Sequence, residues 1–178
     1  MKKKHRSWQQ RAGLAAAYLL LALAAALGWL YSSLPDRVYL EPGEAIALNA
    51  GYLVTEVMDI VHNGMDILIL DASAACHMPD VLEMPYVPPL RDAVRLDDIN
   101  ADIWEKPADG RFRYRLSSYT CLAGDITGDY EFDSEVNAGD RLVFEDMAIY
   151  SMVKNNTFNG IGLPDICLLH EDGAIETV

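Results

Sequence analysis

The apolar positions follow three regimes along the chain. From Ala12 to Tyr31 no residue is charged and Leu and Ala dominate, with Lys2, Lys3, Lys4, Arg6 and Arg11 ahead of the run and Trp8, Trp29 and Tyr31 at its edges. Such a run is about 20 residues long, enough for a helix to cross a hydrocarbon core, and its aromatic residues stand where the interfaces would lie. Next, Arg37-Val38-Tyr39-Leu40 is a short β-prone stretch halted by Glu41-Pro42-Gly43. Ile46, Ala50, Leu53, Val57 and Ile60 then recur at helical spacing up to Asn63-Gly64. This predicts strand, tight turn and helix over residues 38–63, one βα unit of a barrel or open α/β sheet. Past Gly64 the period shortens. Residues 66–71 suit a buried strand. Residues 78–90, with Pro79, Pro85, Pro88 and Pro89, cannot form a regular element and predict a long loop, ordered or mobile. Residues 112–122 alternate, 141–145 and 149–153 read as short strands, and 166–169 pair with 174–178 across Glu171-Asp172-Gly173. Short strands between turn signals predict a β-barrel or sandwich, and no internal repeat is present.

The first 35 residues do not match the rest. Read alone they are a signal anchor, with a cleavable signal peptide second because no convincing small-x-small cleavage site precedes Pro35. The positive-inside rule would then hold Lys2–Arg11 in the cytoplasm and export the body, whereas the body reads as a cytosolic protein. Either residues 12–31 are a genuine anchor, or a wrong start or shifted reading frame has been joined to a truncated gene. The second is the favoured expectation, which makes the chain cytoplasmic; the first makes it membrane-anchored.

Charge narrows the partners. The chain has 178 residues with 14 Lys and Arg against 27 Asp and Glu. All five basic residues ahead of Pro35 lie in a segment without acids, so the body carries a formal charge of −18. Nucleic acid is excluded as a natural partner, because its affinity rests on clustered Lys and Arg. A polycationic ligand would be attracted, although a solvated acidic surface explains the same count. Cys76, Cys121 and Cys167 form no Cys-x-x-Cys and are odd in number, so reduced thiols are expected. His77 reads as a loop residue with no second ligand at metal spacing, so no metal site is expected.

Glu41-Pro42-Gly43, placed between a strand and a helix, has a chemical meaning. Helix N–H groups form an anion site, a glycine lets a phosphate approach the backbone, and a nearby carboxylate can face a protonated ring nitrogen. A tight turn with a helix-capping acid is the plain alternative.

Four segments in order decide between them: residues 38–52, which contain that turn; residues 76–86; residues 118–125 with Cys121-Leu-Ala-Gly-Asp125; and Phe144-Glu-Asp-Met-Ala-Ile-Tyr150. Together they resemble the carboxynorspermidine (carboxyspermidine) decarboxylases, relatives of ornithine and diaminopimelate decarboxylase in the alanine racemase-like class. The resemblance runs from Val38 to the C-terminus. It implies an α+β fold: a hydrophobic N-terminal helix (1–35), the last βα unit of a TIM-type barrel (36–64) and a C-terminal antiparallel β-barrel or sandwich (65–178). The implied activity is decarboxylation of carboxynorspermidine or carboxyspermidine with pyridoxal 5'-phosphate, in a homodimer with shared sites.

By the same resemblance, Glu41 keeps the cofactor ring nitrogen protonated, and Gly43 N–H and the Tyr150 hydroxyl hold its phosphate. Cys121 reaches into the partner's site to return a proton. Glu44 and Asp80 are candidates for the ammonium groups of the polyamine substrate. Cys121 and Tyr150 could instead be core residues and Asp80 a turn residue; Asp125 is either a turn residue or a substrate contact. Such enzymes hold the cofactor on a lysine near the start of their barrel, and none of Lys2, Lys3, Lys4, Lys106 and Lys154 stands in that place. The expectation is therefore a C-terminal portion, inactive alone. The rival reading is a membrane-anchored, non-catalytic acidic β-domain that binds a cationic ligand or partner.

Overall fold

The computed structural model describes residues 8–33, 39–108 and 110–178, with side chains for 18–32, 39–43, 45–108 and 110–178. The chain divides into two compact units, Met1–Glu41 and Pro42–Val178.

The first unit holds helix α1 (Trp8–Ser33). Among the described residues no helix is long and apolar enough to cross a membrane. The alternative reading of residues 12–31 as a membrane anchor is therefore not supported. Tyr39 and Leu40 are not in a strand, and Arg37 and Val38 lie outside the described residues.

The second unit begins with α2 (Gly43–Ala47), a helix of only five residues. The helix expected up to Asn63 is instead strand β1 (Tyr52–His62), followed by β2 (Asp66–Leu70). Two physical causes explain the difference. Tyr-Leu-Val-Thr-Glu-Val-Met-Asp-Ile-Val-His is rich in β-branched and aromatic residues, which fit a pleated surface. Leu53, Thr55 and Val57 also satisfy a two-residue period, and Thr55 and Val57 are buried. Asn63-Gly64, read as a helix stop, closes the β1–β2 hairpin: His62 pairs with Asp66 and Gly64 takes φ +74°. That dipeptide signals both structures. Residues 52–62 thus belong to the β-domain, and among the described residues the TIM-type βα unit expected over 36–64 is not found.

Next come two one-turn helices, α3 (Ala74–His77) and α4 (Asp80–Glu83). The Pro-rich stretch 78–90, expected to hold no regular element, contains α4, because Pro79 stands at the helix N-cap, where its missing N–H costs no hydrogen bond; the rest of the stretch is ordered by the sheet. Pro88 O accepts from the Tyr130 hydroxyl at 2.7 Å, Pro89 O from Glu145 N, and Arg91 N donates to Val143 O. Strands β3 (Ala93–Arg95), β4 (Phe112–Ser118), β5 (Ile126–Phe132) and β6 (Arg141–Glu145) complete a six-stranded sheet in the order β3-β5-β4-β2-β1-β6. The sheet is mixed rather than antiparallel, because β2 and β4 run parallel. β1 changes neighbour along its length, pairing with β6 over 52–56 and with β2 over 57–62. The expected strand at 149–153 is helix α5 (Tyr150–Val153). The predicted C-terminal hairpin is present as β7 (Cys167–Leu169) and β8 (Ile175–Thr177).

The core lies on one face of this sheet. Val57, Leu68, Leu70, Leu116, Tyr130 and Phe144 are fully buried, and Met78 and Val81, from around α4, pack onto them. This contact fixes α3 and α4 against the sheet, and with them the residues of the candidate site.

Candidate active site

Asp80 and Tyr150, 70 positions apart in sequence, line one cleft of about 220 Å³ together with Tyr86, Asp146 and Ser151. Asp80 opens α4; its Oδ2 accepts from the Tyr86 hydroxyl at 2.7 Å, while its Oδ1 is buried without a hydrogen-bond partner among the described residues. A buried acceptor left unpaired costs about 1–3 kcal/mol, so this atom is suited to a donor from outside the chain. Tyr150 opens α5 and is half exposed. Lys154 Nζ lies 5.6 Å from the centre of its ring and pairs with Glu83. Among the described residues two carboxylates and no basic side chain line the cleft, which favours a cation there.

The turn bearing Gly43 is tied to the same region. Asp146, in a left-handed conformation, accepts from Asn49 N at 2.8 Å, and Met147 N donates to Gly51 O at 2.9 Å. A side chain added at Gly43 would meet nothing within 4 Å, so the backbone there is open to a ligand. The long helix expected to strengthen an anion site is absent; five residues supply little dipole, and Gly43 contributes chiefly its own N–H and its lack of a side chain. Glu41 is exposed and belongs to the first unit. The Glu44 side chain lies outside the described residues.

Cys121 does not line this cleft. It is exposed, and it sits on the loop between β4 and β5 rather than on a strand. That loop is organised by Asp125, whose carboxylate accepts from the hydroxyls of Ser73 (2.6 Å), Ser118 (2.6 Å) and Thr120 (2.5 Å) and from Ala75 N (3.1 Å). Burial alone would raise the Asp125 pKa, yet these hydrogen bonds outweigh it and hold the group below the ordinary carboxylate range. Neither sequence reading of Asp125 anticipated a buried hub. The only sequence signal was the Ser118, Thr120 and Asp125 cluster around the cysteine; the partner at Ser73 is not foreseeable.

His77 is buried in α3 rather than looped out. Its Nδ1 accepts from Ser73 N at 3.1 Å, and its Nε2 lies 3.0 Å from Gly162 O, so the neutral ring carries its proton on Nε2. Both nitrogens are used in packing. Among the described residues no group of three His, Cys, Asp or Glu side chains could hold a metal.

The profile of the pyridoxal-dependent decarboxylase C-terminal sheet domain matches residues 21–148. The chain is 42% identical over 142 residues to a carboxynorspermidine/carboxyspermidine decarboxylase of Campylobacter jejuni, covering 80% of this chain and 37% of that protein. It is 44% identical over 141 residues to a carboxyaminopropylagmatine decarboxylase of Synechocystis, covering 79% and 34%. The solved carboxynorspermidine decarboxylase of Campylobacter jejuni complexed with norspermidine superposes with a TM-score of 0.71 at 42% identity, over 80% of this chain and 39% of that one. A diaminopimelate decarboxylase of M. jannaschii, at 20% identity and TM-score 0.58, shares the fold over 75% of this chain and 28% of its own. The chain thus spans little more than a third of the length of the curated relatives it matches. On the profile match and the shared sheet, the chain belongs to the family of pyridoxal-dependent decarboxylase C-terminal sheet domains.

Proposed function

We propose that this chain supplies the C-terminal part of a pyridoxal 5'-phosphate-dependent carboxy-lyase that converts carboxynorspermidine or carboxyspermidine into norspermidine or spermidine. The observation that carries the reading is the cleft lined by both Asp80, whose Oδ1 has no hydrogen-bond partner among the described residues, and Tyr150. It offers carboxylates to the ammonium groups of a polyamine and, with the open backbone at Gly43, donors to a phosphate. The residues present fit the cofactor at its phosphate end through Gly43 N–H and Tyr150.

Bound pyridoxal phosphate supplies an electron sink for the pair left behind when carbon dioxide departs. The chain's own residues do the rest. Glu41 keeps the proton on the ring nitrogen. Asp80, with Glu44, orients the polyamine through its ammonium groups. The Cys121 thiol, in a homodimer with shared sites, returns a proton to the substrate carbon in the partner's cleft; its exposure on the β4–β5 loop, away from its own subunit's cleft, supports this. The cofactor-holding lysine comes from the barrel implied by the resemblance. Free Cys76, Cys121 and Cys167 support a cytoplasmic setting.

A second substrate is favoured by the 44% identity to the Synechocystis protein: carboxyaminopropylagmatine, which ends in a guanidinium. One experiment separates the two. Residues 39–178 are joined to the remaining part of the Campylobacter jejuni relative, and carbon dioxide release is measured with carboxynorspermidine, carboxyspermidine and carboxyaminopropylagmatine. Turnover of either of the first two in preference to the third supports the proposal. A chimera that binds the cofactor and turns over only the third replaces the substrate, and one that turns over none refutes the function.

A further inference from the structure

Asp125 does more than a turn residue does. It is 1% exposed, and among the described residues every group that hydrogen-bonds its carboxylate is neutral. A buried charge held by neutral donors depends on each of them, because any one lost leaves it less well solvated. Two of the donors, Ser118 and Thr120, lie within three residues ahead of Cys121. The other two, Ser73 and Ala75, lie at the start of α3, some fifty residues earlier in the chain. One side-chain and one backbone bond close the same loop: Ser117 Oγ donates to Asp125 O at 2.8 Å and Asp125 N to Leu122 O at 2.9 Å.

The cysteine is also held from its other side. Cys121 N donates to Asn159 Oδ1 at 3.1 Å. The neighbouring Asn156 is bonded to α3, through its Nδ2 to Ala75 O at 2.8 Å and its backbone N to Cys76 O at 3.0 Å. Both anchors of the Cys121 loop therefore end on α3, which leads three residues later into Asp80.

We infer that Asp125 is a positioning residue: by clamping the loop 118–125 onto α3 it sets where the Cys121 thiol stands relative to the sheet. The inference rests on Cys121 being the proton-returning group. Its test reads position directly, so the two can fail separately.

The three cysteines provide the readout in the full chain. Cys76 is fully buried and reports the fold, Cys167 is exposed on β7 and serves as reference, and Cys121 reports the loop. Iodoacetamide labelling resolved by peptide mass spectrometry is combined with amide hydrogen exchange. In Asp125→Ala, residues 118–125 and 73–77 should exchange about tenfold faster or more, and the Cys121 to Cys167 labelling ratio should change by about threefold, with Cys76 still protected. Thr120→Val should loosen only the loop, and Ser73→Ala only α3. These two milder variants decide the matter if Asp125→Ala does not fold. Unchanged exchange and labelling at the loop in Asp125→Ala, or in Thr120→Val where that is the deciding variant, would overturn the inference. So would exposure of Cys76 in Thr120→Val and Ser73→Ala alike, which would make Asp125 a determinant of the fold alone. If the clamp behaves as described but Cys121→Ala leaves turnover intact, the proposed function fails and the clamp stands.

Discussion

Gly51→Ala tests whether the Gly43 turn and the Tyr150 segment act as one grip. A β-carbon built at Gly51 would lie 2.9 Å from the Ala148 β-carbon, 3.0 Å from its α-carbon and 3.1 Å from its nitrogen. Carbon atoms rest about 3.5–4.0 Å apart, so three contacts at once are too close by roughly half an ångström or more. Two of the three atoms are backbone and cannot swing aside. The chain must therefore separate residues 49–51 from 146–148, which also strains the Asn49–Asp146 and Met147–Gly51 hydrogen bonds. Overpacking of this kind costs about 1–3 kcal/mol, or roughly 3–12 °C of melting temperature in a domain of this size. Gly43→Ala is the control, since nothing lies within 4 Å and alanine favours a helix by up to about 1 kcal/mol. Thermal unfolding of the full chain and pyridoxal phosphate titration of the chimera should show Gly51→Ala less stable and weaker for the cofactor. Gly43→Ala should be as stable as the original yet also weaker for the cofactor. If Gly51→Ala melts within about 1 °C of the original chain, the packing argument is wrong. If Gly43→Ala binds the cofactor normally, the phosphate does not approach that backbone.

Other expectations are independent of this one. Asp80→Asn in the chimera should raise the KM for carboxynorspermidine about tenfold or more, and leave the melting temperature unchanged or slightly higher, because an unpaired buried oxygen loses its charge; an unchanged KM would remove Asp80 from the substrate. Acid should destabilise the fold through two buried carboxylates. Burial raises Glu131, but hydrogen bonds from Arg111 and Arg113 hold it below its usual value, as the hydroxyls do for Asp125. With both depressed in the folded state, their contribution is complete above about pH 4–5 and is lost as pH falls through the folded values; denaturant unfolding between pH 7 and 2.5 should show this, and Glu131→Gln should flatten it.

Parts of this molecule were legible in its residues and parts were not, for identifiable reasons. β2, β6 and the β7–β8 hairpin announce themselves because each is a short apolar run between turn residues. β1 does not, because Ile46, Ala50, Leu53, Val57 and Ile60 satisfy a helical period while Leu53, Thr55 and Val57 satisfy a strand period. Only the pairing with β2 and β6 decides between them. The parallel pairing of β2 with β4 and the helical turn at Tyr150 likewise depend on tertiary contacts. Among the site residues, Asp80 and Tyr150 could be named from their segments, but their meeting in one cleft could not. Tyr86, Asp146 and the full hydroxyl set around Asp125 emerge only where distant segments touch, since no periodicity encodes an encounter between Ser73 and Thr120.

The most direct measurement of the central claim is carbon dioxide release from carboxynorspermidine by the chimera with each cysteine replaced in turn by alanine. Cys76→Ala and Cys167→Ala should keep their turnover within a few-fold, whereas Cys121→Ala should lose about a hundredfold or more in kcat, the usual scale for removing a positioned proton donor. A Cys121→Ala protein that turns over at the unsubstituted rate would contradict the account.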